Sequence, residues 1–335
     1  MKPKLLSFSL IIHLLISCVC GLISFSSFSQ SSESKFPEKP ITIVVAYAPG
    51  GQGDVFARLI SERLTSKWGV SVIVDNKPGA SGMIGTRYVV AAKPDGYVLL
   101  LAQTGEISIN PWVMKNLGYN PSKDLKPIVL VGDAPLVMSV ATGSKFKNIS
   151  EVMSFAKMNP NSLSYASSGT ATPGHLCAAA LDLYLNGHFT HVPYKGAGPA
   201  TTDLLGGQVD FFFSSAAGIM PHINSGKVRG LAVSTKKRIS ALAQTPTVAE
   251  SGIPNFSFSL WGGLFAPAGT PSSIVEKINT AVNEILQETE IKNRLERDGV
   301  LSQKNSVIEF SEFVNQESKK YEELVKTTGI KSEAN

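Results

Sequence analysis

The chain has 335 residues, more than one hydrophobic core usually supports, so two domains are expected. Hydrophobic residues make up 43% of it and charged residues 17%, which excludes a disordered or collagen-like chain. Its formal charge of +5 is diffuse, with no arginine-rich stripe or aromatic platform, which excludes nucleic acid as a partner.

The first 29 residues are typical of an export signal. Lys2 and Lys4 precede an apolar stretch at 5–23, and small residues frame a cleavage site after Ser29. Two alternatives stay open, namely a lipid on Cys18 and retention of the segment as a membrane anchor. Cleavage would leave 29 basic against 26 acidic residues and Cys177 as the only cysteine, so the core must stabilise the fold without an internal disulfide.

A strand–turn–helix pattern opens the mature chain. Residues 41–46 are β-branched and of strand length, and apolar residues at helical spacing then run up to Trp68. Between them lies the glycine-rich turn 48–54, in which Asp54 is placed to cap the helix and to pair with Arg58.

The same pattern follows at once. Strands are predicted at 70–74 and 97–102, with a helix at 84–92 that begins after a second glycine-rich turn, 76–82. The order β-α-β-α-β predicts a parallel sheet that binds ligands at the carboxyl ends of its strands.

A second α/β unit is predicted after the turn-rich stretch 111–127. Its predicted strands are 136–141, 163–166, 209–213 and 228–233, and its predicted helices are 149–158, 175–185 and a segment ending at Leu205. Helices predicted at 270–289 and 308–327 are expected to return to the first unit. The predicted first lobe is therefore 36–136 plus 258–335, and the predicted second lobe is 137–257, with a hinged cleft between them.

The glycine-rich turns point to anion binding. Glycine lets the backbone approach a ligand closely, and each following helix presents unpaired N–H groups and a partial positive charge. Such a site suits a carboxylate or a phosphate and needs no catalytic side chain.

The sequence shows no catalytic or metal-binding pattern in addition to these turns. Ser154 and Lys157 match a Ser-x-x-Lys motif, but inside a helical pattern and without its companion motifs. No nucleophile, base and orienting group belong together, and the histidines lack the spacing of a zinc site. No enzyme activity, metal or cofactor is expected.

Ordered segments across the chain resemble one known family, the substrate-binding receptors of tripartite tricarboxylate transporters, also called Bug receptors. The resembling segments are 40–45, 48–51, 76–85, 93–97, 165–169, 191–196, 203–210 and 246–252. The resemblance implies a two-lobe periplasmic binding protein fold of type II-like α/β architecture, without enzyme activity. It also implies a periplasmic monomer that passes a small carboxylated solute to a two-component membrane permease.

The resemblance also implies a ligand site formed by both lobes, in which the first holds a carboxylate through backbone N–H groups and bound water. The implied residues are Tyr47, Ala48, Gly50, Gly51, Gln52, Gly53, Asp54, Gly79, Ala80, Ser81, Gly82, Ser168, Gly169, Thr170, Tyr194 and Ser214. Many relatives have an Asp-Asn pair at 214–215, where this chain has two serines, and this departure argues against an amino-acid ligand. A second departure from the relatives is Gly53, where they frequently have a hydroxyl residue. One hydrogen-bond donor is therefore replaced by water or missing.

Some assignments stay open at this stage. Tyr47, Tyr194 and Trp261 fit either a cleft lining or the core, whereas Lys195 and Arg87 are interpreted as solvated. Two rival functions also remain, a receptor that presents its ligand to a membrane signalling protein and a hydrolase acting on a small acid.

Overall fold

The computed structural model describes residues 36–328, and the predicted export signal at 1–29, with Cys18, lies outside them. Contacts divide the chain into a short unit, Met1–Glu38, and a large unit, Lys39–Asn335. All the helices and strands given below belong to the large unit.

Nine strands are present in the described part of the chain. They are β1 Ile41–Val45, β2 Val72–Asn76, β3 Val98–Gln103, β4 Leu125–Ala141, β5 Ser164–Ser167, β6 Thr190–Pro193, β7 Phe211–Ser215, β8 Val228–Val233 and β9 Ser259–Pro267. The α-helices are α1 Gln52–Trp68, α2 Met83–Val90, α3 Asn110–Val113, α4 Pro121–Asp124, α5 Ile149–Met158, α6 Pro173–Leu185, α7 Ala197–Leu205, α8 Ala216–Asn224, α9 Ser272–Leu286, α10 Thr289–Arg297 and α11 Val307–Thr328.

The strands form two sets joined by β4. In the first set β1 pairs in parallel with β2 and β3, which confirms the parallel order predicted for these strands, and β9 pairs antiparallel with β3 and β4. Beyond Pro135, β4 pairs antiparallel with β7 and β8, and β5 pairs in parallel with β6 and β7. The long strand β4 therefore runs through both sets.

Most predicted elements are present with shifted ends, but two predicted bounds were wrong and one helix was missed. β4 begins at Leu125 rather than 136, because bulges near Pro127 and Gly132 let a strand pass residues that normally interrupt one. α8 was not predicted, since Gly218 and Pro221 disfavour a helix interior. The helix predicted at 270–289 ends at Leu286, and a separate helix, α10, follows.

Aromatic side chains form much of the core. Trp261 of β9 is fully buried, with its ring centroid 6.0 Å from that of Phe310 and 5.8 Å from that of Phe313, both on α11. This packing fixes the long C-terminal helix on the first strand set and places Trp261 in the core. In the second set Phe211 and Phe213 of β7 pack edge to face, with centroids 6.1 Å apart.

Candidate functional site

A narrow cavity, termed the inner cavity, lies where β1, β3, β5 and β7 end. It measures about 30 Å³, room for about two water molecules. Its lining residues are Tyr47, Gly51, Gln52, Gln103, Gly105, Leu136, Ser168, Thr172, Pro173, Gly174, Ala197, Phe213, Ser214, Ser215 and Leu260. The carboxyl ends of parallel strands are where open α/β sheets bind ligands.

Four helices begin at the inner cavity. Gln52, Pro173 and Ala197 are the first residues of α1, α6 and α7, and at none of these helix starts does a backbone N–H donate to a capping side chain. The start of α8 differs, because the Ser215 hydroxyl accepts from the N–H of Gly218 at 3.2 Å. Uncapped starts leave N–H groups for a ligand.

The lining carries no ionic side chain. None of the fifteen described residues around the inner cavity is Asp, Glu, Lys or Arg. Each helix start carries a partial positive charge, so the cavity favours negative charge through fixed backbone dipoles. The arrangement can hold an anionic oxygen without an ion pair.

Asp54 fixes the first glycine-rich turn from within α1. Its carboxylate accepts from the Gly50 N–H at 3.1 Å and pairs with Arg58 at 2.9 Å, which confirms the predicted pair. Burial raises the pKa of Asp54, but hydrogen bonds from Arg58 and Gly50 outweigh burial and lower it. The N-cap residue is Gly51, and Asp54 therefore orders the turn rather than occupying the cap position.

The first turn touches the start of α7 across the inner cavity. The Ala48 N–H donates to the Lys195 carbonyl at 3.1 Å. A Cβ atom on Gly196 would lie 2.7 Å from the Ala48 nitrogen, and one on Gly198 would overlap the Pro49 carbonyl oxygen. Glycine at both positions allows the two strand sets to approach this closely.

A second space, termed the outer pocket, measures about 190 Å³ and shares Tyr47 and Ser168 with the inner cavity. Its lining residues are Tyr47, Gly79, Ala80, Ser81, Gly82, Ser168, Gly169, Thr170, Pro193, Tyr194 and Lys195. In the turn from Gly79 to Gly82 all four residues have positive φ, including Ala80 at 48° and Ser81 at 52°. Strained backbone of this kind is concentrated at ligand sites.

Tyr47 is held by a fully buried carboxyl group, Glu106, which lies in a π-helical turn, Gly105–Ile109, after β3. The Tyr47 hydroxyl lies 3.0 Å from Glu106 Oε2 and 3.2 Å from the Ser81 carbonyl oxygen, while Glu106 Oε1 accepts from the Gln103 N–H at 2.7 Å. Burial raises the pKa of Glu106 to about 8. A protonated Glu106 would donate to the Tyr47 hydroxyl oxygen. The hydroxyl proton of Tyr47 would then be free to donate to the Ser81 carbonyl, so that both contacts become hydrogen bonds.

The structure brings most of the predicted site residues together. Those at the inner cavity are Tyr47, Gly51, Gln52, Ser168 and Ser214, and those at the outer pocket are Tyr47, Gly79, Ala80, Ser81, Gly82, Ser168, Gly169, Thr170 and Tyr194. The predicted residues that line neither space are Ala48, Gly50, Gly53 and Asp54. Of these, Ala48, Gly50 and Asp54 hold the turn by the hydrogen bonds above.

Several residues of the site were missed from the sequence. Gln103 ends β3, and Gly105 and Glu106 follow it, where the sequence showed a strand end but no glycine-rich turn. Ser215 lies before α8, and a serine ahead of an apolar run was the signal available there. Lys195 lines the outer pocket, whereas Arg87 donates to the carbonyls of Leu117 and Asn116.

The described residues show neither a metal-binding cluster nor a membrane-spanning helix. Within residues 36–328 no group of three or more His, Cys, Asp or Glu side chains is placed to hold a metal ion. In that same range no helix has the length and apolar character needed to cross a membrane.

Parallel strands in two sets, with their carboxyl ends at a common cavity, define a mixed α/β fold of the periplasmic binding protein class. The solved structure of the periplasmic binding protein BugD shares it, with 35% identity and a TM-score of 0.84 over 88% of this chain and 99% of that one. The chain matches the family described as tripartite tricarboxylate transporter family receptor (TctC) over residues 56–330. It belongs to this family, a family of binding proteins and not of enzymes.

Two further similar structures were solved with a carboxylate ligand. One is Rpa4515 of R. palustris with adipate, at 32% identity and a TM-score of 0.86 over 89% of this chain and 99% of that one. The other is MatC of Rhodopseudomonas palustris with bound malate, at 31% identity and a TM-score of 0.82 over 87% of this chain and 100% of that one.

Proposed function

We propose that this chain is an exported receptor for a small dicarboxylate, which it binds as a monomer and passes to a two-component membrane permease. One observation carries the proposal: four helix starts, three without a side-chain cap, meet at a cavity whose described lining has no ionic side chain. Adipate and malate in two relatives support the choice of ligand class.

The inner cavity is proposed to receive one carboxylate group. Its volume of about 30 Å³ is close to the size of such a group, and the rest of the solute would extend into the outer pocket past Tyr47. The strained turn from Gly79 to Gly82 would supply N–H groups there, with Lys195 at the rim.

Binding is proposed to close two lobes, 36–136 plus 258–335 and 137–257. A ligand favours closure only if it binds the closed form better, so it must contact both lobes. Gly51 and Gln52 belong to one proposed lobe, and Ser168 and Ser214 to the other, and all four line the inner cavity.

A thermal-shift screen tests the receptor function. The protein without residues 1–29 is unfolded and refolded to remove bound solute, then heated with succinate, malate, glutarate or adipate, and with acetate and alanine as controls. A dicarboxylate that binds only the folded state should raise the Tm by several degrees at 100 times its Kd. If no acid shifts the Tm of the refolded protein, the proposal is wrong.

A further inference from the structure

In the side-chain amide of Gln52 the nitrogen is hydrogen-bonded within residues 36–328 and the oxygen is not. It is 1% exposed, and its Nε2 donates to the Leu260 carbonyl at 2.8 Å. Because an amide oxygen in that place would face another oxygen, the orientation of the amide is fixed. Its Oε1 is buried and has no hydrogen-bond partner among the described residues.

Ser214 presents a second unpartnered group to the same cavity. It lies on β7 with 3% exposure, and its hydroxyl has no partner within the described part of the chain. Buried polar atoms are nearly always hydrogen-bonded in native proteins, because an unmade bond is costly. Two such atoms in one cavity indicate a partner supplied by the solute.

The chemistry of Gln52 Oε1 restricts that partner. A carbonyl oxygen only accepts, so a bare carboxylate cannot satisfy it, whereas a hydroxyl or an ammonium can. An ammonium would be buried among helix starts of like charge, with no acidic side chain in the described lining. A hydroxyl fits better, since it can donate to Gln52 and accept from Ser214.

We propose that the solute is a hydroxy-dicarboxylate whose hydroxyl donates to Gln52 Oε1 and accepts from the Ser214 hydroxyl. The inference rests on the proposed dicarboxylate function and adds the recognised substituent. Gln52 and Ser214 then select among acids that the helix starts alone would bind alike.

Isothermal titration with matched acids tests the assignment. The pairs are succinate and malate, glutarate and 2-hydroxyglutarate, and adipate and 2-hydroxyadipate, with both enantiomers of each hydroxy acid. For the chain length that binds, one enantiomer should bind the wild type about tenfold or more tightly than the unsubstituted acid. Aspartate should bind more weakly than malate.

Variants assign the preference to its residues. Gln52→Met keeps the side-chain length and should reduce the preference to about one, and Ser214→Ala should reduce it in part. Gln208→Met, at an exposed glutamine, should keep the wild-type preference. Melting curves show whether each variant is folded. If Gln52→Met does not fold, the preference of Ser214→Ala is the test of the assignment.

The outcomes separate the two proposals. Equal binding of both acids by the wild type, an unchanged preference in Gln52→Met, or aspartate binding as tightly as malate would overturn the hydroxyl assignment and leave the receptor function intact. Equal binding would mean that water satisfies both atoms. Absence of binding by every acid would contradict the receptor function itself.

Discussion

The carbonyl oxygen of Pro49 packs directly against Gly198 and leaves no room for a Cβ atom there. Pro49 follows β1, whereas Gly198 lies in the first turn of α7, so this contact joins the two strand sets. Gly198 has no positive φ, and glycine is therefore required for space rather than for backbone conformation.

Gly198→Ala tests whether this contact accompanies solute binding. The added methyl group should keep the first turn away from α7 and lower dicarboxylate affinity about tenfold or more. Helix propensity acts in the opposite direction on stability, since alanine stabilises a helix interior by about 0.5–1 kcal/mol relative to glycine. Titration calorimetry measures the affinity, and small-angle scattering measures the radius of gyration with and without solute.

A matched control lies at the other end of the same helix. Gly206 has φ −78°, and a Cβ there would have its nearest neighbour at 3.6 Å, so Gly206→Ala should bind like wild type. If Gly198→Ala also keeps wild-type affinity and compaction, the contact plays no part in binding.

Glu106 predicts a loss of stability as the pH rises. Its pKa is about 8 when folded, because of burial, and near 4.5 when unfolded. Between these values only the folded state holds the proton, so the free energy of unfolding falls by up to about 1.4 kcal/mol per pH unit and levels off above about 8.

Urea denaturation at pH 7.5–8.5 isolates this effect. His175 and His191, whose pKa values burial lowers to about 3 and 4, are neutral in the folded state there and largely neutral in the unfolded state, where their pKa is near 6.5. Glu106→Gln mimics the protonated acid and should remove most of the slope. Equal slopes in both proteins would show that Glu106 is ionised in the folded state.

The sequence predicts those features of the fold and site that depend on neighbouring residues, and not those that depend on residues far apart in the chain. Strand β8 and helix α5 have their predicted bounds, because local apolar patterns specify them. The glycine-rich turns were also predicted to bind a ligand, and residues of both turns line the inner cavity or the outer pocket. The meeting of four helix starts could not be read from the sequence, since it depends on which strands are neighbours. Glu106 was missed because nothing local shows that a glutamate becomes fully buried.

Asp54→Ala should loosen the first turn. It removes the acceptor of the Gly50 N–H and the partner of Arg58, so the free energy of unfolding should fall by about 1–3 kcal/mol and solute affinity should fall with it. Chemical denaturation and calorimetry measure the two effects. Glu284→Ala, which breaks an exposed pair with Lys67, should cost less than about 1 kcal/mol and leave affinity unchanged. Equal effects of the two variants would remove any special role of Asp54.

Ser214→Asp should shift the preference from hydroxy acids to amino acids. A carboxylate at this buried position would repel a solute carboxylate but pair with an ammonium, so the ratio of aspartate to malate affinity should rise about tenfold or more. Competition titrations give the ratio directly. An unchanged ratio would place Ser214 outside the solute-binding region.

The most direct test of the central claim is calorimetric titration of the refolded wild type, Gly51→Val and Gly143→Val with the dicarboxylate that gives the largest thermal shift. Gly51 is the N-cap residue of α1 and lines the inner cavity, and a Cβ atom on it would lie 3.4 Å from the Cβ of Ala197. A Cβ atom on Gly143 would touch nothing within 4 Å. We expect one site per chain in the wild type and in Gly143→Val, and affinity at least a hundredfold weaker in Gly51→Val. Wild-type affinity in folded Gly51→Val would contradict the assignment of the inner cavity as the carboxylate site.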